Sequence, residues 1–491
     1  MWTSCVFVLL CQVTASLAAL KFASYYGSHM VLQRGPQRAV VWGTASTIGD
    51  VVTVTVSGHG HATGHVANDG TWKVKLPAIT EHGPFTITAK SSEGHVTLTD
   101  VLFGDVWVCS GQSNMGFSLN HVINASQEIA TASKFHNIRI FRATTVQSPT
   151  PLQDLKSVST HWSLPNSNSL PHFSAVCWLY AEYLYPHVNH PIGLVDTAWG
   201  GTPVEAWSSP DALGACAAKQ KRGPGGHSVL WNAMINPFLH MTIYGAIWYQ
   251  GESNAGHPDA YACQFPAMIR DWRKKFHDAS LRETHQNFPF GFVQIAANAH
   301  NLHNVGGFPP LRWAQTAKVG HVPNHKMPNT FMAVALDLPD FHSPYGTIHP
   351  RYKQDVCHRL VLGALAVAYH RKNIEYQGPF PSAFTEDKSK HHLTIEYDNG
   401  RTPIEVRDTK NGFDICCSAH ATTCGAHDHW LVAPVTHSDT SSVTLSTSGC
   451  TQHVVGLRYE WRTSPCEFKK CAIYGRDNDL PAPPFIRTTA F

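Results

Sequence analysis

Charge is scarce in this sequence. Of 491 residues only 14% are Asp, Glu, Lys or Arg, and the net charge is +3 with histidine neutral. Low charge beside 43% hydrophobic residues excludes a chain that stays disordered for want of apolar surface. No run of Lys and Arg is dense enough to track a phosphate backbone, so no nucleic-acid partner is expected. Beyond the N-terminal leader no stretch reaches the ~18 apolar residues that a membrane-spanning helix requires. The absence of any Cys-x-x-Cys pair weighs against a structural zinc site. A large folded protein remains, of about three domains at roughly 150 residues each.

Histidine is abundant, with 32 residues, which makes the chain strongly cationic wherever they are protonated. Residues 1–18 read as a signal peptide: a short apolar run ends with Ser16 and Ala18 at the −3 and −1 positions, although no basic residue precedes it. Eleven cysteines follow the leader, and Cys416, Cys417, Cys424, Cys450, Cys466 and Cys471 crowd into the last 76 residues. That crowding predicts disulfides and a secretory-pathway protein, lysosomal or secreted, and the odd total predicts a free thiol. Asn124-Ala125-Ser126 is the single N-glycosylation sequon.

Patterning divides the chain in three. Residues 19–100 alternate apolar and polar, as in Val51 to Val56 and Trp72 to Leu76, with Asn68-Asp69-Gly70 as a hairpin turn between strands; this predicts an N-terminal β-sandwich. In residues 101–375 short apolar runs (Val101 to Val108, Ile192 to Thr197, Ala246 to Tyr249, Phe290 to Ile295, Phe331 to Leu336) are separated by helical stretches at Tyr261 to Phe276 and Tyr352 to Tyr369. Alternation of that kind predicts an open α/β sheet with its ligand beyond the C-terminal strand ends. Residues 376–491 are β-like again and cysteine-rich.

Four segments of the middle region carry groups that can do chemistry. Val108-Cys-Ser-Gly-Gln-Ser113-Asn-Met115 ends a buried strand in a glycine turn and presents Ser113 where a helix N-terminus can offer N–H groups to an oxyanion; Ser110 competes with it. Asp196-Thr-Ala-Trp-Gly200-Gly201-Thr202 permits close backbone approach to a ligand, or is a plain strand-to-helix turn. Ile247-Trp-Tyr-Gln250-Gly-Glu252-Ser-Asn254 offers two amides and a carboxylate, either as oxyanion donors or as buried polar anchors. His349-Pro350 lies just before a helix with an apolar face, a suitable place for a general base, although one histidine among 32 says little alone.

Taken in order, these segments resemble the SGNH-type hydrolases, and more closely the sialate O-acetylesterase family. The matching pieces are Cys-Ser-Gly-Gln-Ser113-Asn-Met, Asp-Thr-Ala-Trp-Gly-Gly-Thr202, Trp-Tyr-Gln-Gly-Glu-Ser-Asn254 and Ile-His349-Pro, together with the leader and the ending Leu-Pro-Ala-Pro-Pro-Phe-Ile. The resemblance implies a three-layer α/β/α, flavodoxin-like catalytic domain in an enzyme that removes O-acetyl groups from sialic acids, notably at O-9. It implies Ser113 as nucleophile and His349 as base. The implied oxyanion donors are the Ser113 N–H, Gly200 or Gly201, and the side chain of Gln250 or Asn254, with Gln250 preferred. No metal or cofactor is required. One departure stands out: many SGNH enzymes place an Asp three residues before the histidine, and here that residue is Gly346. A backbone carbonyl near Gly346 then orients His349, or a remote acid does, Asp337 and Asp340 being nearest. Arg312 and Arg270 are conceivable partners for a sialate carboxylate. Nine of the fourteen tryptophans lie between Trp107 and Trp313, where some can stack on a sugar. The competing readings are an acetylesterase for another carbohydrate and a secreted glycan-binding protein with an inactive hydrolase core. Oligomeric state has no signature in the sequence.

Overall fold

Four strands of the middle region form where the sequence runs apolar without a break. The computed structural model describes residues 20–216, 226–300, 303–419, 422–425 and 428–491; the signal peptide read at 1–18 lies outside them. We number the strands of the central sheet β1 (Gly94–Gly111), β2 (Ile138–Ala143), β3 (Val158–Ser163), β4 (Ile192–Asp196), β5 (Gly245–Tyr249), β6 (Phe290–Gln294) and β7 (Thr330–Val334). Their order is β3-β2-β4-β1-β5-β6-β7, parallel except for β3. Every residue of β4 to β7 is buried, as expected of strands covered on both faces. The covering helices are α1 (Ala175–Val188), α2 (Pro258–Ala279), α3 (Phe308–Gln315) and α4 (Lys353–Gly363). Trp107 of β1 packs edge-on against Tyr180 of α1, while Trp248 of β5 meets Phe265 and Trp272 of α2. The chain leaves β1 toward β4 on one side and returns to β5 on the other. The loops after β1, β4 and β5 therefore emerge together at the carboxyl edge, where such sheets bind ligands.

The N-terminal region forms two antiparallel sheets. Lys21–Phe22, Val40–Thr44 and Thr71–Lys75 make one; Val51–Val56 lies between Gly60–His65 and Phe85–Ser91 in the other. Val52, Val54 and Val56 face the core while Val51 and Thr55 are exposed. Asn68-Asp69-Gly70 does turn the chain, with Gly70 at φ 78°, but it is not a hairpin: the strands it joins belong to different sheets. β1 itself crosses residue 100. Its first half pairs antiparallel with Phe85–Ser91 and its second half enters the central sheet, so both regions share one core.

The C-terminal region has its own core around Leu393, Ile395, Phe413, Leu445, Leu457 and Phe485, between two four-stranded antiparallel sheets. It is tied to the middle region by Arg312. This fully buried side chain donates to the carbonyls of Ile295 and Ala296 on one side and of Arg462 and Thr463 on the other, at 2.8–2.9 Å. Five disulfides join Cys109–Cys177, Cys216–Cys263, Cys416–Cys424, Cys417–Cys450 and Cys466–Cys471, which leaves Cys357 as a buried free thiol. Among the described residues no helix is long and apolar enough to cross a membrane.

Candidate active site

The loop after β1 begins with a conformation only glycine adopts easily. Gly111 has φ +141°, and a Cβ there would lie 2.3 Å from the Tyr249 carbonyl oxygen. Gln112 follows, and its carbonyl accepts from both Met115 N and Gly116 N at 2.9 Å. Ser113 therefore sits on a single tight turn, not at the helix N-terminus that the sequence suggested. Ser110 is fully buried, with its hydroxyl unpartnered, and does not reach the surface.

Ser113 Oγ lies 2.9 Å from His349 Nε2, across 236 positions of sequence. On the other side of the ring, Nδ1 lies 2.8 Å from the Tyr345 carbonyl oxygen. A carbonyl only accepts, so Nδ1 carries the proton and Nε2 is left as the acceptor for the serine hydroxyl. Among the described residues no carboxylate bonds to His349 Nδ1 as a third member. Asp337 pairs with Arg359 at 2.6 and 2.9 Å and accepts from Tyr474, and Asp340 pairs with Arg351. The two groups open onto a solvent-facing cleft, also lined by Phe117, His121, Arg142, Trp199, Gly200 and Tyr345. A Cβ built on Gly200 would lie 3.3 Å from the Ser113 Cβ, so glycine lets the loop after β4 close on the serine. Among the described residues neither the Ser113 nor the Gly200 amide donates to another protein group. Gly201, with φ +73°, has open space where a Cβ would stand and is not part of the lining.

Beneath the cleft floor is a buried polar layer. Asn114 Nδ2 donates to Glu252 Oε1 at 2.6 Å and to the Ile348 carbonyl at 2.9 Å, and its Oδ1 accepts from Lys353 Nζ at 2.6 Å. The residue after the serine is thereby tied to the residue before the histidine. Burial lowers the Lys353 ammonium to about 7 and raises the Glu252 carboxyl. The amides singled out as oxyanion donors belong to this layer. Gln250 Nε2 donates to the Thr202 carbonyl and to Asn254 Oδ1, at 3.2 and 2.7 Å. Asn254 Nδ2 donates to Glu205 at 2.9 Å. Both side chains are buried and absent from the cleft lining, and their hydrogen bonds hold the loops after β4 and β5 together.

Similarity to known proteins agrees with this geometry. Residues 103–344 match the family model described as carbohydrate esterase, sialic acid-specific acetylesterase, and residues 382–489 match the sialate O-acetylesterase C-terminal domain. The sialate O-acetylesterase of Mus musculus is 42% identical over 98% of this chain and 97% of its own; that of Homo sapiens is 44% identical over 95% and 92%. The chain belongs to the sialate O-acetylesterase family. A crystal structure of a carbohydrate acetylesterase from Xanthomonas citri superposes with a TM-score of 0.80, at 29% identity, over 95% of this chain and 99% of that one.

Within this sialate O-acetylesterase family member, the catalytic-region match contains Ser113 and Gly200 and ends before His349, which the fold alone brings to the serine. The carboxylate partners suggested by sequence do not reach the cleft. Arg312 is the buried tie described above, and Arg270 is exposed on α2 and absent from the lining. Sequence reasoning missed Arg142, Trp199 and Tyr345. The signal for Arg142 was its place at the end of Ile138-Arg-Ile-Phe-Arg142-Ala143, on the carboxyl edge of a strand.

Proposed function

We propose that this chain is a serine esterase that hydrolyses O-acetyl esters of sialic acids, notably at O-9, through an acetyl-enzyme. The observation that carries the reading is the 2.9 Å contact between Ser113 Oγ and His349 Nε2 at the surface of an open cleft. His349 removes the hydroxyl proton as Oγ attacks the acetyl carbonyl. The resulting oxyanion is met by the Ser113 and Gly200 N–H groups, and Gly201 is at hand in the same loop. His349 then protonates the departing sugar oxygen and activates the water that releases acetate. The Tyr345 carbonyl fixes the ring, so the catalytic unit is a Ser–His dyad. An ester is reactive enough for such a base.

The strand order and the covering helices support reading the middle region as a three-layer α/β/α domain of SGNH type, spanning 101–375 between β regions at 19–100 and 376–491. Five disulfides support a lysosomal or secreted location. Asn124 is exposed at the start of a helix, as an N-glycan acceptor must be. The test is acetate release from 9-O-acetylated sialic acid set against acetylated xylan, with phosphonate labelling to locate the nucleophile. Turnover of the sialic acid with label on Ser113 is expected. Turnover of xylan alone, or label elsewhere, overturns the reading.

A further inference from the structure

Among the described residues, those lining the cleft include no carboxylate. They offer one guanidinium, Arg142, as a fixed positive charge. Such a surface favours an anionic substrate over a neutral one. Arg142 is also held in place from behind. Its Nε lies 3.3 Å from Oδ2 of Asp196, a fully buried carboxylate at the end of β4, and its Nη1 donates to the His172 carbonyl at 2.7 Å. Asp196 is itself oriented by the Ala198 N–H at 3.0 Å. A guanidinium has five N–H donors in a fixed fork. The His172 contact engages one hydrogen of Nη1, whereas the Asp196 contact is an ion pair that leaves Asp196 Oδ2 without a hydrogen-bond partner among the described residues. Both Nη2 hydrogens have no protein acceptor among the described residues, and one of them with an N–H of the neighbouring nitrogen makes the fork that receives a carboxylate bidentately. The Arg142 side chain is 24% exposed, so it is desolvated on one side and open on the other.

We propose that Arg142 binds the substrate carboxylate and so restricts this esterase to O-acetyl groups on acidic sugars. This rests on the sialate esterase reading and adds to it the residue that recognises the acid. Trp199 and Tyr345, on the same lining, supply apolar faces for the sugar ring. Asp196 is a positioning residue: it fixes the guanidinium without touching substrate.

The test compares kcat/KM for 9-O-acetylated sialic acid with that for its C1 carboxamide, which keeps the acetyl ester and loses the charge. The wild type is expected to prefer the acid by roughly 10–100-fold, as for a charge-assisted bidentate contact. In Arg142→Gln that ratio falls to near 1, chiefly through a higher KM for the acid. Arg142→Lys keeps the charge but not the fork, and its ratio is intermediate. If Arg142→Gln does not fold, the Lys variant decides. A wild-type ratio near 1, or a ratio that neither variant changes, overturns the role of Arg142 while leaving the esterase intact. Failure of the wild type to release acetate from either compound overturns the sialate reading and the proposal with it.

Discussion

The cleft face and the layer beneath it are built from the same loops, yet their polar groups are treated differently. On the face, the Ser113 hydroxyl and the Arg142 guanidinium open onto the cleft with hydrogen-bonding capacity to spare, and the Ser113 and Gly200 amides have no protein partner among the described residues. Below, Asn114 and Gln250 use both amide hydrogens and their oxygens on surrounding loops and helices. The pairs involved differ by one position, Ser113 from Asn114 and His349 from Ile348. The lesson is that reactivity needs unsatisfied groups on the surface, and that these keep their geometry only because the adjacent residues are fully satisfied.

Substitutions that remove one layer at a time sharpen this contrast. Ser113→Ala or His349→Ala is expected to lower acetate release by about 10⁴–10⁶-fold with the melting temperature nearly unchanged. Residual activity near wild type would remove the dyad from the chemistry. Asn114→Ala acts on both layers at once. It should cost about 10²-fold in kcat with little change in KM, because the loops that carry serine and histidine lose their tie. It also leaves Lys353 and Glu252 short of partners, which costs about 1–3 kcal/mol in denaturant unfolding. An Asn114→Ala variant with full kcat would show that the tie does not position the dyad.

Gln250→Ala should lower stability by a similar 1–3 kcal/mol and kcat by less than about tenfold. A fall of 10²–10³ in kcat at unchanged stability, as for a lost oxyanion donor, would return Gln250 to the reacting atoms. The smallest effect concerns pH alone. Burial and the neighbouring Glu128 raise the Glu182 carboxyl on α1 to about 7, despite bonds from Trp178 and Thr131. The folded state thus holds a proton that the unfolded state releases near 4.5. The resulting stability is fully present below about pH 4.5 and is lost as pH rises through about 7. Calorimetry across that window should show a decline in melting temperature that Glu182→Gln reduces, with acetate release following its own pH profile. An unchanged decline in the variant would assign it to other carboxyls.

Much of the frame was legible because it rests on local pattern. Each long apolar run in the middle region became a buried strand, and Tyr261 to Phe276 lies within α2. β2 and β3 were not anticipated: Ile138–Ala143 carries two arginines, and Val158–Ser163 is mostly polar and only partly buried. The turn at Asn68 to Gly70 read as a hairpin because turn residues specify a reversal, not which sheet receives the next strand. Gln250 and Asn254 stood in the right segment, but a sequence does not say which way a side chain leaves a loop. Arg312 beside Trp313 looked like a ligand clamp and proved to be a tie between regions, since its four acceptors are backbone carbonyls that no residue type announces.

By itself the sequence determined the order of β and α/β regions, the crowd of cysteines, and the segments that bear serine, glycine and histidine. These depend on periodicity and turn chemistry, which act over a few residues. Tertiary structure alone decided that Ser113 meets His349, that a backbone carbonyl and not a carboxylate orients the imidazole, and that Arg142 and not Arg312 faces the cleft. Hydrogen bonds and burial act over about 3 Å of space irrespective of chain separation. Partners far apart in sequence are therefore chosen only when the sheet has brought its loop ends together.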